Sequence, residues 1–155
     1  MNGPMPHEEL YCQAVKFIDL RIQSPARAWP RFDKDIALVE EDGPAGSLLF
    51  ACHTDESMSN PMGIVHGGIT ASLVDTWMGV TCAAQCERVA APTVTMTVNY
   101  ARPVPLNADV LVRTRTIRVG ATSAQMQAEV FLAGSPEEVL VTAVGVYAVR
   151  RSAGT

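Results

Sequence analysis

The sequence predicts an α+β domain, with one antiparallel sheet wrapped around a single long helix and a second helix near the N-terminus. Three observations carry that prediction. Residues 66–86 are apolar almost throughout and hold one charged side chain between His66 and Cys86, Asp75. Residues 93–100 alternate between apolar and polar side chains, and three more strand-like runs follow. Ahead of both, a helix-period pattern over 7–23 is followed by two short strand-like runs.

Length and composition bound the answer. A chain of 155 residues, 48% hydrophobic, is enough for one domain with a real core, so 1–155 is read as a single domain with 1–6 and 152–155 as flexible ends. A net charge of -4 argues against general nucleic-acid binding, which wants a basic surface. It leaves room for a phosphorylated ligand, since a few arginines placed locally suffice. Cys12, Cys52, Cys82 and Cys86 form no Cys-x-x-Cys pair. Cys82 and Cys86 share a helix face, which reads as small apolar packing rather than a metal site, and four free thiols fit a reducing, cytoplasmic compartment. The opening residues lack the basic and apolar regions of a signal peptide. The 66–86 segment is long enough to span a bilayer, but Asp75, its hydroxyl residues, Gln85 and its glycines favour a buried helix, and no membrane partner is expected.

In the first helix Leu10, Ala14, Phe17, Ile18 and Ile22 recur at three- and four-residue steps, and Glu8 and Glu9 suit the positive end of its dipole. Pro25 and Pro30 end it. Runs 36–41 and 47–54 flank a turn-forming Gly-Pro-Ala-Gly stretch and predict a hairpin, with His53 as a strand-end histidine. In 66–86, Ile69, Leu73, Trp77, Val80 and Ala84 form one stripe and Val74, Met78 and Cys82 another, so the helix should be covered nearly all round. In 93–100, Val94, Met96, Val98 and Tyr100 fall on one face and Thr93, Thr95, Thr97 and Asn99 on the other. Run 108–119 sets Val110 and Val112 opposite Leu111, Arg113 and Arg115. Run 123–133 alternates Met126, Ala128, Val130 and Leu132 with polar residues. A turn is expected over 134–138, and 139–149, apolar on both faces, suits a central strand.

The chemistry concentrates at the start and middle of the long helix. Gly67 and Gly68 let a ligand or another backbone approach, and the first helix amides have no internal partner. Such an amide can bind a carbonyl oxygen that becomes an oxyanion. Equally, two glycines can serve tight packing alone. Asp75 is a general base or nucleophile, or a buried carboxylate satisfied by a neighbouring hydroxyl. Gly67 and Asp75 are eight residues apart, about 12 Å along one helix at about 1.5 Å per residue. Groups acting on one carbonyl must each come within about 3 Å of it. If both act, a second copy of the chain must bring its Asp75 to the first copy's Gly67, which predicts a homodimer with two shared sites.

Asn60, His66, Gly67 and Asp75 stand in a pattern of Asn, His-Gly-Gly six residues on, and Asp nine after the His. Thr93 then opens a strand that leads to Tyr100-Ala-Arg102-Pro103. Together these residues resemble the hotdog-fold acyl-CoA thioesterases, in particular the PaaI-like branch of the 4-hydroxybenzoyl-CoA thioesterase superfamily, over about residues 10–150. The resemblance implies a hotdog fold, a sheet of five to six strands around the 66–86 helix. It implies edge-to-edge dimers, often dimers of dimers, and hydrolysis of an acyl-CoA with no cofactor or metal. It also implies roles. Gly67 polarises the thioester carbonyl, His66 orients the turn and Asn60 contacts the thioester or water. Asp75 of the other subunit attacks or activates water, and Thr93 positions that water. Asn107 stands where relatives often have Gly, and Thr93 where Ser is common.

For the CoA phosphates the candidates are Arg102, Arg113, Arg115, Arg118 and Arg150. Trp77 and Met78 adjoin Asp75 in sequence and line an acyl pocket or pack the core. The competing readings are a hotdog hydratase or dehydratase, which pairs His and an acid in another pattern, and a non-catalytic acyl-CoA-binding module. The sequence leaves open the acyl group and whether Asp75 is nucleophile or base.

Overall fold

A computed structural model describes residues 3–22, 37–87 and 91–149. In chain order the elements are α1 (His7–Ile22), β1 (Ala37–Val39), β2 (Ser47–His53), a one-turn 3-10 helix (Glu56–Met58), α2 (Gly67–Gln85), β3 (Thr93–Tyr100), β4 (Asp109–Val119), β5 (Ser123–Leu132) and β6 (Ser135–Ala148). The strands form one six-stranded antiparallel sheet in the order β1-β2-β4-β5-β6-β3. The expected architecture of one sheet around one helix is therefore present, with six strands and with α1 beside α2. Among the described residues, no helix is long and apolar enough to cross a membrane.

Helix α2 is the core of the fold because its sequence offers apolar side chains on every side. Leu73, Val74, Trp77, Met78, Val80, Cys82, Ala83 and Ala84 are buried. They pack on the inward side chains of the sheet, among them Leu48, Phe50, Val110, Val112, Met126, Ala128, Val130 and Val141. Each large side chain so buried contributes about 1.5–3 kcal/mol. Trp77 stacks on Phe50 with ring centroids 4.2 Å apart, so Trp77, like the fully buried Met78, belongs to the core. On the buried face Thr81 donates to the Trp77 carbonyl or meets Thr114 Oγ1 at 2.7 Å. Helix α1 caps this core with Leu10 and Ala14. Its first residue, His7, lies between two carbonyl oxygens of the β1–β2 hairpin, Ser47 at 2.8 Å and Glu41 at 2.7 Å.

The structure corrects several boundaries and one face. Met5, expected in a flexible end, donates its N–H to Gln85 Oε1 and accepts from the Gly46 N–H. The turn expected over 134–138 is shorter: β6 begins at Ser135, and a register jump between Phe131 and Leu132 takes up the residues around Pro136, which has no N–H for the ladder. The expected strands 36–41 and 108–119 reduce to β1 and β4, with Ile36 outside the described residues. Pro25, Pro30, Arg150 and 152–155 also lie outside them. The alternation expected over 93–100 breaks at one point. A bulge between Thr93 and Thr95 shifts the register against β6, so Thr93 pairs with Tyr147 while Met96 pairs with Gly145. Tyr147 and Gly145 are both buried on the helix-facing side, so Thr93 joins the Met96 face instead of the Thr95 face, and Val94 is left 64% exposed.

Candidate active site

Two groups of polar residues line α2, about two turns apart. The first is built at its N-terminus. The 60–65 segment closes on itself: the Asn60 side-chain oxygen accepts the Met62 N–H at 2.8 Å, Gly63 takes a left-handed φ of 74°, and Ser59 bridges Val65. With its oxygen engaged this way, the Asn60 amide nitrogen has no acceptor among the described residues. The chain then enters α2, with His66 as N-cap. His66 Nδ1 accepts the Gly68 N–H at 2.9 Å, so a neutral His66 carries its proton on Nε2. The Ile69 and Thr70 amides bond the His66 carbonyl. Gly67 is left as the one amide of the first turn with no acceptor among the described residues. Tyr100, at the far end of β3, donates its hydroxyl to the Gly67 carbonyl at 2.7 Å and holds this turn against the sheet.

The two glycines have different reasons. A Cβ on Gly68 would lie 3.1 Å from His66 Nδ1, so a larger residue there would crowd the N-cap unless the His66 ring gave way by a few tenths of an ångström. A Cβ on Gly67 would meet only the Tyr100 ring, at an ordinary 3.5 Å. Packing within the chain therefore accounts for Gly68, while Gly67 keeps a half-buried, unengaged amide open to approach.

The second group surrounds Asp75. Thr93 donates its hydroxyl to Asp75 Oδ1 at 2.7 Å, and the Tyr147 hydroxyl lies 2.9 Å from the same oxygen and 3.1 Å from the Asp75 carbonyl. The other carboxylate oxygen, Oδ2, has no donor among the described residues. Tyr147 has its proton affinity raised by burial and then by the nearby Asp75 charge, so it stays a donor. Sequence reasoning missed Tyr147 because it sits in a run of apolar residues and reads as core. The missed signal was a Tyr within a strand already marked as buried on both faces, since a buried hydroxyl needs a partner.

The structure brings His66, Gly67 and the Asn60 loop together, and Asp75 with Thr93, but it keeps these two groups apart within one chain. The arginines divide as well. Arg102 lies two residues beyond Tyr100, pairs with Glu138, and borders a groove of about 390 Å³ lined by Ile64, Pro103, Pro105, Leu132 and Leu140. Arg113 stacks over the Phe131 ring at 4.8 Å, on the sheet face turned away from α2, and Arg115 shares that face. Arg118 is exposed near the end of β4. His53 is exposed at the end of β2 and bonded to Asp109, as a strand-end histidine should be. Asn107 has a φ of 54°, the left-handed turn conformation that Gly or Asn tolerates.

The family model described as Thioesterase superfamily matches residues 62–139, half of the chain. The chain belongs to the thioesterase superfamily. The match takes in His66, Gly67, Asp75 and Thr93 but stops short of Tyr147. Human acyl-coenzyme A thioesterase 13 is 30% identical over 107 residues, 68% of this chain and 74% of that protein. Among solved structures, the Escherichia coli PaaI protein from the phenylacetic acid degradation operon superposes with a TM-score of 0.74 at 18% identity, covering 92% of this chain and 96% of that one. Zebra fish thioesterase superfamily member 2 gives 0.73 at 19% identity, covering 87% and 94%. The smu.793 protein of Streptococcus mutans, solved bound to acetyl CoA, gives 0.66 at 18% identity, covering 80% and 95%. These likenesses establish the hotdog architecture of this thioesterase-superfamily chain.

Proposed function

We infer that the chain hydrolyses acyl-CoA thioesters to free acid and CoA, at two sites shared between two copies. One observation carries this reading. The unengaged Gly67 amide and the Asp75 carboxylate lie about 12 Å apart on one helix, and each is tied to an opposite end of β3, through Tyr100 and Thr93. Among the described residues, strand β3 is an edge of the sheet, with β6 on one side and no strand on the other. A free edge of eight residues is a ready template for a second chain. Antiparallel pairing of β3 with its two-fold mate lays each Thr93 end against the partner's Tyr100 end, and so carries one copy's Asp75 toward the other's Gly67.

In the assembled site the thioester carbonyl oxygen accepts the Gly67 N–H, and the helix dipole favours the charge that develops there. Asn60 offers its amide hydrogens to the same group or to water. As general base, Asp75 Oδ2 takes a proton from the attacking water, and collapse of the tetrahedral intermediate breaks the C–S bond and passes that proton to the departing CoA thiolate. As nucleophile, Asp75 Oδ2 attacks directly, the C–S bond breaks to give CoA thiolate and a mixed anhydride, and water then hydrolyses the anhydride to free acid and Asp75, its released proton going to the thiolate. Thr93 donates a hydrogen bond to Asp75 Oδ1, which leaves its own oxygen as an acceptor for the water. Arg102 is the best placed candidate for a CoA phosphate, and no cofactor beyond the CoA of the substrate enters the scheme. Pairs of dimers are the expected assembly. The four cysteines form no disulfide, which fits a reducing compartment such as the cytoplasm.

Release of free thiol from a panel of acyl-CoAs tests the chemistry. Asp75→Asn and Asp75→Ala should each lose at least about a hundredfold in kcat; full activity in both removes Asp75 from its role. Binding of acyl-CoA without turnover would favour the non-catalytic module. Sedimentation should give a species of at least twice 16.6 kDa. Mixing equal amounts of Asp75→Asn and Asn60→Ala chains should restore up to about a quarter of wild-type activity, because half the dimers are mixed and each holds one intact site of two. No recovery after proven subunit exchange would sink the shared-site geometry.

A further inference from the structure

We propose that Tyr147 is a positioning residue that, with Thr93, holds one oxygen of the Asp75 carboxylate and leaves the other free to react. The proposal rests on the role given to Asp75 above. Tyr147 is 1% exposed, on the helix-facing side of β6, directly across the ladder from Thr93. Its ring fills a slot that Gly145 keeps open and that Gly79 of α2 only borders. A Cβ on Gly145 would lie 2.8 Å from the ring, and one on Gly79 of α2 would lie 3.6 Å from it. The ring alone would fill that slot as Phe, so packing does not call for the hydroxyl.

The hydroxyl has one proton and two acceptors in reach, Asp75 Oδ1 at 2.9 Å and the Asp75 carbonyl at 3.1 Å. The carboxylate is nearer and charged, and bonds to ionised acceptors are the stronger. Thr93 reaches the same Oδ1 from the start of β3 at 2.7 Å. Two donors from neighbouring strands thus converge on one oxygen. They fix the rotation of the carboxylate about its own axis, so that Oδ2 is presented in one direction. Besides Asp75, the titratable group bearing on Tyr147 from the packed helix is Cys82, one to two turns further along α2. Tyr147 is buried and bears on the proposed chemistry through Asp75 and its neighbour Thr93. Its loss should therefore change kcat and leave KM alone.

The test compares wild type, Tyr147→Phe, Asp75→Asn and the double variant, all as full chains. Tyr147→Phe should lower kcat between about tenfold and a hundredfold, the range of a lost bond to a charged group, with KM within about twofold. In the Asp75→Asn background the same change should alter the residual kcat by less than about twofold. Urea unfolding of the four proteins should show losses that do not add. Unchanged kcat in Tyr147→Phe overturns the proposal, as does an equal fall in both backgrounds, which is what a purely structural role would produce. Should the wild type hydrolyse no acyl-CoA, the functional reading falls separately, and the unfolding cycle still decides: additive losses overturn the Tyr147–Asp75 link.

Discussion

At the scale of single residues, the chemistry rests on a few hydrogen bonds that leave chosen atoms unengaged. His66 satisfies the Gly68 amide, and its carbonyl satisfies Ile69 and Thr70, so that the Gly67 amide alone is left over. Thr93 and Tyr147 both address Asp75 Oδ1, so that Oδ2 is left over. Thr93 can be tested by isosteres. Thr93→Ser keeps the hydroxyl and should retain kcat within about threefold, whereas Thr93→Val keeps the shape and removes the donor, and should cost about tenfold or more. Thiol-release kinetics check both, and equal activity in the two variants would take Thr93 out of the site. Asp75 was legible as the one charge in an apolar helix. What it bonds to was not, because its partners come from residues 18 and 72 positions away.

At the scale of elements, β3 does the positioning. Strict alternation would turn Thr93 to the face of Thr95 and Thr97, away from α2. The bulge at Val94 reverses it and delivers its hydroxyl to Asp75. Strand β6 answers from the other side with Tyr147, in a slot that Gly145 keeps open. Gly145→Ala should therefore displace the ring. It should cost about 1–3 kcal/mol of stability, as overpacking does, and lower kcat along with it. Gly79→Ala meets the same ring at an ordinary contact distance. It should be neutral or stabilising by up to about 1 kcal/mol, since Ala is the better helix former. Urea unfolding compares the two, and a Gly145→Ala protein as stable and active as wild type would remove the slot from the account.

At the scale of the whole molecule, α2 is the core of the fold and, in the proposed dimer, the link between two sites. The groups it buries also shape how stability depends on pH. Cys82 is held protonated well above its ordinary 9.0, first by its hydrogen bond with Cys86 and then by burial. Tyr147 is held above its ordinary 10.0, first by burial and then by Asp75. Above these ordinary values the unfolded chain loses protons that the folded chain keeps, so rising pH favours unfolding. Stability should be level up to about pH 8, fall above about pH 9 as the Cys82 contribution is lost, and fall faster above about pH 10 as Tyr147 joins it, by roughly 1 kcal/mol per pH unit for each group. Denaturant unfolding across that range checks it. Cys82→Ala and Tyr147→Phe should each flatten the slope, and an unchanged slope in both would refute this origin.

The sequence by itself determined the order of elements, the buried central helix and the family, and it singled out Asn60, His66, Gly67, Asp75 and Thr93 as candidates. Those follow from local patterns: a period, a turn, a spacing along one helix. The distance of about 12 Å between Gly67 and Asp75 was already implied by helix rise, and with it the proposal of a second chain if both act on one carbonyl. Only the tertiary structure decided that β3 lies at the sheet edge beside β6, that a bulge turns Thr93 inward, that Arg113 and Arg115 face away from α2, and that Tyr147 meets Asp75. Each of these depends on which strands pair and in what register. Register is set by the packing of the whole sheet on α2, which no window of neighbouring residues contains.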